Sequence, residues 1–299
     1  MELPATEARA QDRAALDLSS PGELAALFHR HDQQAVAAVG AVQAEVARAI
    51  ELARDALTAG GRVVLVGAGT SGRLAVIEAA ECIPTFSSDR VVGLLAGGPA
   101  AFVRAREGAE DDRAQGAADL GALGPSSRDL VIGVTASGRT PFVLGALDAA
   151  RAAGAATALL CCSPPVEADA AALAIVLPTG PEALNGSTRM KAGTATKCVL
   201  NAITTGAMAL QGKVLDDLMV DVVASNAKLV RRARRIVATA VPTSPERAAE
   251  LLDAAEGAAK VAIVMGRAGV DPAAARARLD AAGGHLRRAL EGAPPEGAP

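Results

Sequence analysis

The chain has 299 residues, 51% of them hydrophobic, which at about 150 residues per domain makes roughly two domains and excludes a disordered chain. Aromatic residues are only 1%, with no Trp, no Tyr and four Phe (Phe28, Phe86, Phe102 and Phe142), so the core must be built from Ala, Val, Leu and Ile. A net charge of −3, with so few rings on which bases could stack, speaks against nucleic acid as a partner.

In chain order, residues 1–31 are polar with no clear period. Val36, Val39, Val42, Val46, Ile50 and Leu52 then recur at steps of three and four and predict a helix over 33–59, closed by Gly60-Gly61. Arg62 to Val66 is a short β-branched run, followed by a glycine-rich turn and an apolar helical segment over 73–81. Val91 to Ala96 reads as a second strand halted by Gly97-Gly98, and a helical stretch over 102–123 follows. Leu130 to Val134 is a third strand; Pro141 opens a helix that Gly154 closes. Ala156 to Cys161 and Leu173 to Leu177 are two more strands, uniformly apolar as strands buried on two faces should be. This alternation predicts an α/β fold: a parallel sheet covered on both sides, in three layers. Helical pattern resumes over 190–238. Beyond Val241-Pro242, Thr243-Ser244-Pro245-Glu246 is a capping box that starts a small module of about three helices. Within it Leu252-Asp253-Ala254-Ala255-Glu256-Gly257 recurs as Leu279-Asp280-Ala281-Ala282-Gly283-Gly284, and a Pro/Gly-rich tail, expected to be disordered, closes the chain.

Cys82, Cys161, Cys162 and Cys198 make no Cys-x-x-Cys pair, and His29, His31 and His285 lack a metal-site spacing, so the cysteines read as idle thiols in a reducing cytoplasm. The start, Met1-Glu2-Leu3-Pro4, has no apolar h-region, and no run approaches the ~18 apolar residues of a membrane span. The expectation is a soluble cytoplasmic protein with no membrane partner.

Gly67-Ala68-Gly69-Thr70-Ser71-Gly72-Arg73 fits G-x-G-x-x-G between a strand and a helix. A dinucleotide site would need an acidic residue ending the next strand, but that strand ends Leu95-Ala96-Gly97-Gly98. The nicotinamide reading therefore fails. Instead Ser71-Gly72-Arg73 recurs as Ser137-Gly138-Arg139, again between strand and helix, with Thr140-Pro141 as N-cap and first-turn Pro. Free N–H groups, a partial positive charge and a serine hydroxyl at two such helix starts suit the phosphate of a small molecule. Capping turns with no ligand are the plainer reading of either loop alone. A third segment, Asn185 to Thr194, either adds hydroxyls and cations to the same pocket or is a solvated turn. Glu78 and Glu81 share one helix face, and Glu107, Glu110, Asp111 and Asp112 form a cluster. Such carboxylates are either a solvated face or the acid–base pair of a site without His or metal.

Five blocks in order, Gly67 to Arg73, Glu81-Cys82-Ile83-Pro84-Thr85-Phe86, Glu107 to Asp112, Ala136 to Pro141 and Ser187 to Ala195, together resemble the N-acetylmuramic acid 6-phosphate etherases. The resemblance spans nearly the whole chain. It implies a sugar isomerase (SIS) domain with an N-terminal helical segment over 1–241, a UBA-like three-helix module over 242–290 and a tail over 291–299. It also implies cleavage of the lactyl ether of N-acetylmuramic acid 6-phosphate to N-acetylglucosamine 6-phosphate and D-lactate, in cell-wall sugar recycling. That is a carbon–oxygen lyase reaction, with no metal or organic cofactor. The family's proton donor corresponds to Glu81 and its second catalytic acid to Glu110. Its phosphate-binding hydroxyls correspond to Ser71, Ser137 and Thr140. Thr70, Gly72, Gly138 and Arg139 complete the expected loops, with Ser187 and Lys191 as weaker candidates. Ala10, Ala80 and Ile83 depart from the family pattern. The resemblance implies a homodimer. Separately, ten residues from Ser71 to Glu81 on a straight helix span up to ~15 Å, so either the helix bends back or Glu81 serves the loop of the partner chain, the reading favoured here, with the site shared between subunits. The glucokinase regulatory protein, which has the same loops and binds sugar phosphates without cleaving them, is the alternative.

Overall fold

A computed structural model describes residues 4–12, 14–164, 169–222 and 227–292. Residues 293–299, most of the expected tail, lie outside the described residues. The predicted helix over 33–59 is two helices, α1 (Pro21–Gly40) and α2 (Gln43–Thr58), parted where Val42 leaves helical geometry at φ −122°, ψ 28°. Ser20 opens α1 with a reciprocal capping box, accepting from the Glu23 N–H while the Glu23 carboxylate accepts from the Ser20 N–H. The inward face of α1 is Leu27, His31, Ala35 and Ala38, whereas Val36, part of the apolar periodicity, is 57% exposed.

All five predicted strands form: β1 (Val63–Gly67), β2 (Val91–Leu95), β3 (Leu130–Thr135), β4 (Ala156–Cys161) and β5 (Leu173–Val176). They make one parallel sheet in the order β2-β1-β3-β4-β5. Helix α3 (Gly69–Phe86) follows β1 and α5 (Pro141–Ala152) follows β3; α6 (Lys191–Leu210) comes after β5. The helical stretch expected over 102–123 is two 3₁₀ turns, Pro99–Phe102 and Ala109–Asp111, and then α4 (Arg113–Ala122). Val64, Val66, Val131 and Leu159 pack on one side of the sheet against Leu120 of α4 and Phe142 of α5. The alternate residues Leu65, Leu130, Ile132 and Leu160 are buried too, and α2 touches β1, β3 and β5. Period-two burial on both faces is why the strands read as continuous apolar runs.

The chain folds as two compact units, Met1–Ala80 with Arg90–Thr204, and Glu81–Asp89 with Thr205–Pro299. The stretch expected as helix over 190–238 is interrupted after α6 by a short antiparallel pair, β6 (Val214–Leu215) and β7 (Leu218–Met219), before α7 (Ala227–Ala240). Among the described residues four helices complete the second unit: α8 (Pro245–Ala254), α9 (Ala259–Ala268), α10 (Pro272–Ala281) and the six-residue α11 (Leu286–Glu291). Val237 and Ala240 of α7 share one apolar cluster with Leu251, Leu252, Ile263 and Leu286, so α7 packs with the module. The internal repeat is a repeated helix stop. Gly257 donates to Leu252 O and Gly284 to Leu279 O, while Glu256 and Gly283 donate to the carbonyls of Asp253 and Asp280. Asp221 accepts from both Lys213 and Lys260, and Lys260 also donates to Gly284 O, which ties the repeat's second copy to the turn after β7.

Candidate active site

Pairing of β1 with β3 sets Gly67 opposite Val134, so the loops leaving these strands emerge side by side where the chain order reverses, the usual ligand position in such sheets. At the first loop the backbones of strand and helix nearly touch. A Cβ on Gly67 would lie 2.6 Å from the Gly72 nitrogen, and one on Gly72 would lie 2.5 Å from the Gly67 oxygen. Thr70 and Ser71 are left half-buried at the start of α3, with Gly72 buried behind them.

In the second loop the last strand residue, Thr135, is 4% exposed. Its Oγ1 lies 2.7 Å from Thr140 Oγ1 and 3.3 Å from Ser137 Oγ, while Ser137 Oγ accepts the Arg139 N–H at 3.2 Å. Thr140 stands at the N-cap of α5 but makes no cap bond, and Pro141 has no N–H, so the first turn of α5 is uncapped. Gly138 is buried and Arg139 half-buried in the same turn. Thus Thr70, Ser71 and Gly72 are brought beside Ser137, Gly138, Arg139 and Thr140, with unfilled donors at the start of α5.

The acidic cluster divides by role. Asp112 caps α4, accepting the Gln115 N–H at 2.8 Å. Glu107 and Glu110 line a cavity of about 190 Å³ with Ala68, Gly69 and Arg73 of the first loop and with Arg106. Arg73 fixes one wall by donating to the Ala101 and Phe102 carbonyls, both at 2.8 Å, and Arg106 donates to Gly97 O at 3.2 Å. The two glutamates three apart on α3 separate as well. Glu78 is 4% exposed and paired with Lys197 at 2.5 Å, with Thr204 also donating to it. Glu81 is exposed, on an unbroken helix ten residues beyond Ser71, or ~15 Å along the axis.

The third segment contributes differently from the first two. Gly193 packs beside the Thr70 methyl, within 3.6 Å of where its Cβ would stand. Ser187 is half-buried, but Lys191 is 3% exposed and donates inward to Gln34 Oε1 at 3.0 Å. Burial pulls the Lys191 ammonium below the ordinary lysine range, and Glu182 and Asp12 oppose that shift. Sequence reasoning missed Glu182, which is 1% exposed and accepts the Lys191 and Ala192 N–H groups, each at 2.9 Å. The start of α6 is therefore already filled by a carboxylate. Cys161 and Cys162 are buried, and burial pushes their thiols up to about 12 and about 11, which keeps them unreactive. Among the described residues no group of His, Cys, Asp and Glu could hold a metal ion, and no helix is long and apolar enough to cross a membrane.

Residues 45–151 match the family described as the glucokinase regulatory protein N-terminal SIS domain. Among solved structures the chain is similar to a phosphoheptose isomerase from Francisella tularensis, at 17% identity and a TM-score of 0.46, covering 63% of this chain and 100% of that one. It is 50% identical over 290 residues to an N-acetylmuramic acid 6-phosphate etherase of Cronobacter sakazakii, covering 96% of this chain and 97% of the relative. It is 48% identical over 295 residues to one of Mycolicibacterium smegmatis, covering 97% and 99%. At that identity along essentially its whole length, the chain belongs to the N-acetylmuramic acid 6-phosphate etherase family.

Proposed function

We propose that this protein cleaves the D-lactyl ether of N-acetylmuramic acid 6-phosphate, releasing D-lactate and N-acetylglucosamine 6-phosphate. The observation that carries the reading is the pair of helix starts at the β1–β3 switch point, with a Glu110-lined cavity beside the first of them. The 6-phosphate takes the hydroxyls and N–H groups of the two loops. Ring opening exposes an aldehyde that acidifies the C2 proton; Glu110 removes that proton as general base. Glu81 protonates the C3 oxygen as lactate leaves, and water adds to the unsaturated sugar. No metal or organic cofactor enters this chemistry.

Glu81 serves the loops of a partner chain in a cytoplasmic homodimer. A position ~15 Å down an unbroken helix from Ser71 supports this, since one helix cannot both hold the phosphate at its start and reach C3 from its far end. The C-terminal module has a structural or dimer-supporting role.

The test is D-lactate release from the purified protein, with the Glu81→Ala and Glu110→Ala variants. Each substitution should lower release at least ~10²-fold. Glu81→Ala keeps exchange of the C2 hydrogen with solvent, and Glu110→Ala loses it. Mixing Glu81→Ala chains with Ser71→Glu chains restores activity when Glu81 acts across the dimer and leaves the mixture dead when it acts within its own chain. Tight sugar-phosphate binding with no lactate from the unaltered protein would overturn the lyase reading in favour of a regulator.

A further inference from the structure

We propose that Lys213 is a positioning residue for Glu81: it holds the end of α3 through the Phe86 carbonyl, so that the proton donor meets the oxygen that leaves. The proposal rests on the reading of Glu81 as that donor, and it holds whichever chain's substrate Glu81 serves.

Helix α3 is continuous, but its residues are shared between the two units. Residues 69–80 count with the first, where Lys197 and Thr204 fix Glu78, and residues 81–86 count with the second. Glu81 therefore takes its support from a different set of residues than Glu78, three positions away.

The last segment of α3 is weak on its own. Pro84 brings no N–H, so the ladder bond that Ala80 O would accept is missing. The carbonyls of a helix's final turn have no partner within the helix either. Cys82 and Phe86, four apart, are buried and set which side faces inward, leaving Glu81 exposed. Their burial fixes the face of the helix and leaves its carbonyl end to be held by other groups.

Lys213 holds that end. Its Nζ donates to Phe86 O at 2.8 Å and to Asp221 Oδ2 at 2.9 Å, which puts a cation where the helix dipole is negative. Asp221 is steadied in turn by Lys260, whose Nζ is 3.1 Å from the same oxygen, and its backbone carbonyl accepts from Ser87 Oγ. Ser87 follows directly on the helix at φ 50°, a left-handed conformation uncommon for a residue other than glycine. Two bonds thus tie down the end of α3 about one and a half turns beyond Glu81.

The test measures kcat and KM for lactate release, and solvent exchange of the substrate's C2 hydrogen, in the full-length protein. Lys213→Met should lower kcat by about 10-fold to 10²-fold, the cost of misplacing a catalytic group by roughly an ångström. KM should stay within about twofold, because only the transition state loses a contact. Exchange at C2, which needs the loops and Glu110, should continue as in the unaltered protein. Lys213→Arg, which keeps the charge and the donors, should recover most of the loss. Ser87→Gly removes the second bond while relieving the left-handed strain, so release should fall about threefold while Tm holds or rises. An unchanged kcat in Lys213→Met overturns the proposal, as does a loss shared equally by C2 exchange, or a Lys213→Arg no better than Lys213→Met. Should Lys213→Met fail to fold, Ser87→Gly decides alone, and full release by it overturns the tether. Normal release by Glu81→Ala overturns the proton-donor reading instead.

Discussion

Helices α5 and α6 begin in the same way in sequence, each behind a Gly/Ser/Thr-rich turn, yet their first turns differ. At α6 the Glu182 carboxylate takes the N–H groups of Lys191 and Ala192 from inside the protein. At α5 the residue placed to cap is bonded to Thr135 instead, and the first turn stays open. The lesson is that a helix start is an anion site only where the protein has not supplied its own anion. One filled and one open terminus divide the work: α6 is anchored, and α5 is available.

The largest effect should come from unplugging α6. Glu182→Ala removes two charge-assisted bonds from buried donors and should cost about 3 kcal/mol in urea unfolding. A cost under about 1 kcal/mol would mean that the carboxylate does not anchor the helix. Next comes plugging α5. Thr140→Asp places a carboxylate where α6 has one; like-charge repulsion of the phosphate should lower lactate release on the order of 10²-fold, while thermal melting holds or rises because an N-cap is gained. Retained activity would break the comparison.

Glu78 and Glu81 sharpen the same contrast, between an interior carboxylate and an exposed one. Glu78→Ala should cost about 2 kcal/mol, discounted because Lys197 is a quarter exposed. Glu81→Ala should stay within about 0.5 kcal/mol, and equal costs would merge the two roles. The smallest effect concerns Asp129, another interior carboxylate. Burial raises its affinity for a proton, but the Arg62 side chain and the Ser126 and Arg62 N–H groups outweigh that and hold it below the usual aspartate range. A lowered folded pKa means that its stabilisation is full above the ordinary aspartate value near 3.9 and is lost as pH falls through the folded value. Asp129→Asn should therefore flatten the acid limb of stability by an amount on the order of 1 kcal/mol, and an unchanged limb would remove Asp129 from the acid response.

The strands and the two Ser-Gly-Arg loops that follow β1 and β3 were legible because their signals are local: β-branched runs, and one tripeptide repeated after two of them. The first part of α1, residues 21–32, was not, because the buried face of that helix is alanine and histidine as much as leucine, and alanine marks neither side of a helix. Glu78 and Glu81 look equivalent in sequence, three residues apart on one face. What separates them is Lys197, which is 119 residues away. Glu182 carried no local mark either, since a carboxylate nine residues ahead of a helix reveals itself only once the turn has folded back. Site residues that depend on such closures are invisible until the chain is folded.

The near-contact of Gly67 with Gly72 restricts how this sequence can change over generations. Each residue is the obstacle for the other: an added methyl on either would press on the other's backbone at 2.5–2.6 Å. Relieving one position does not free its neighbour, because two methyl groups need more room than one. No single replacement leads out of the motif, and no pair does either. A library randomised at both codons and selected for growth on the substrate should return the parental pair, however deeply it is sampled. A recovered clone with any other pair at these positions would have to move β1 away from α3, and with them one wall of the first loop.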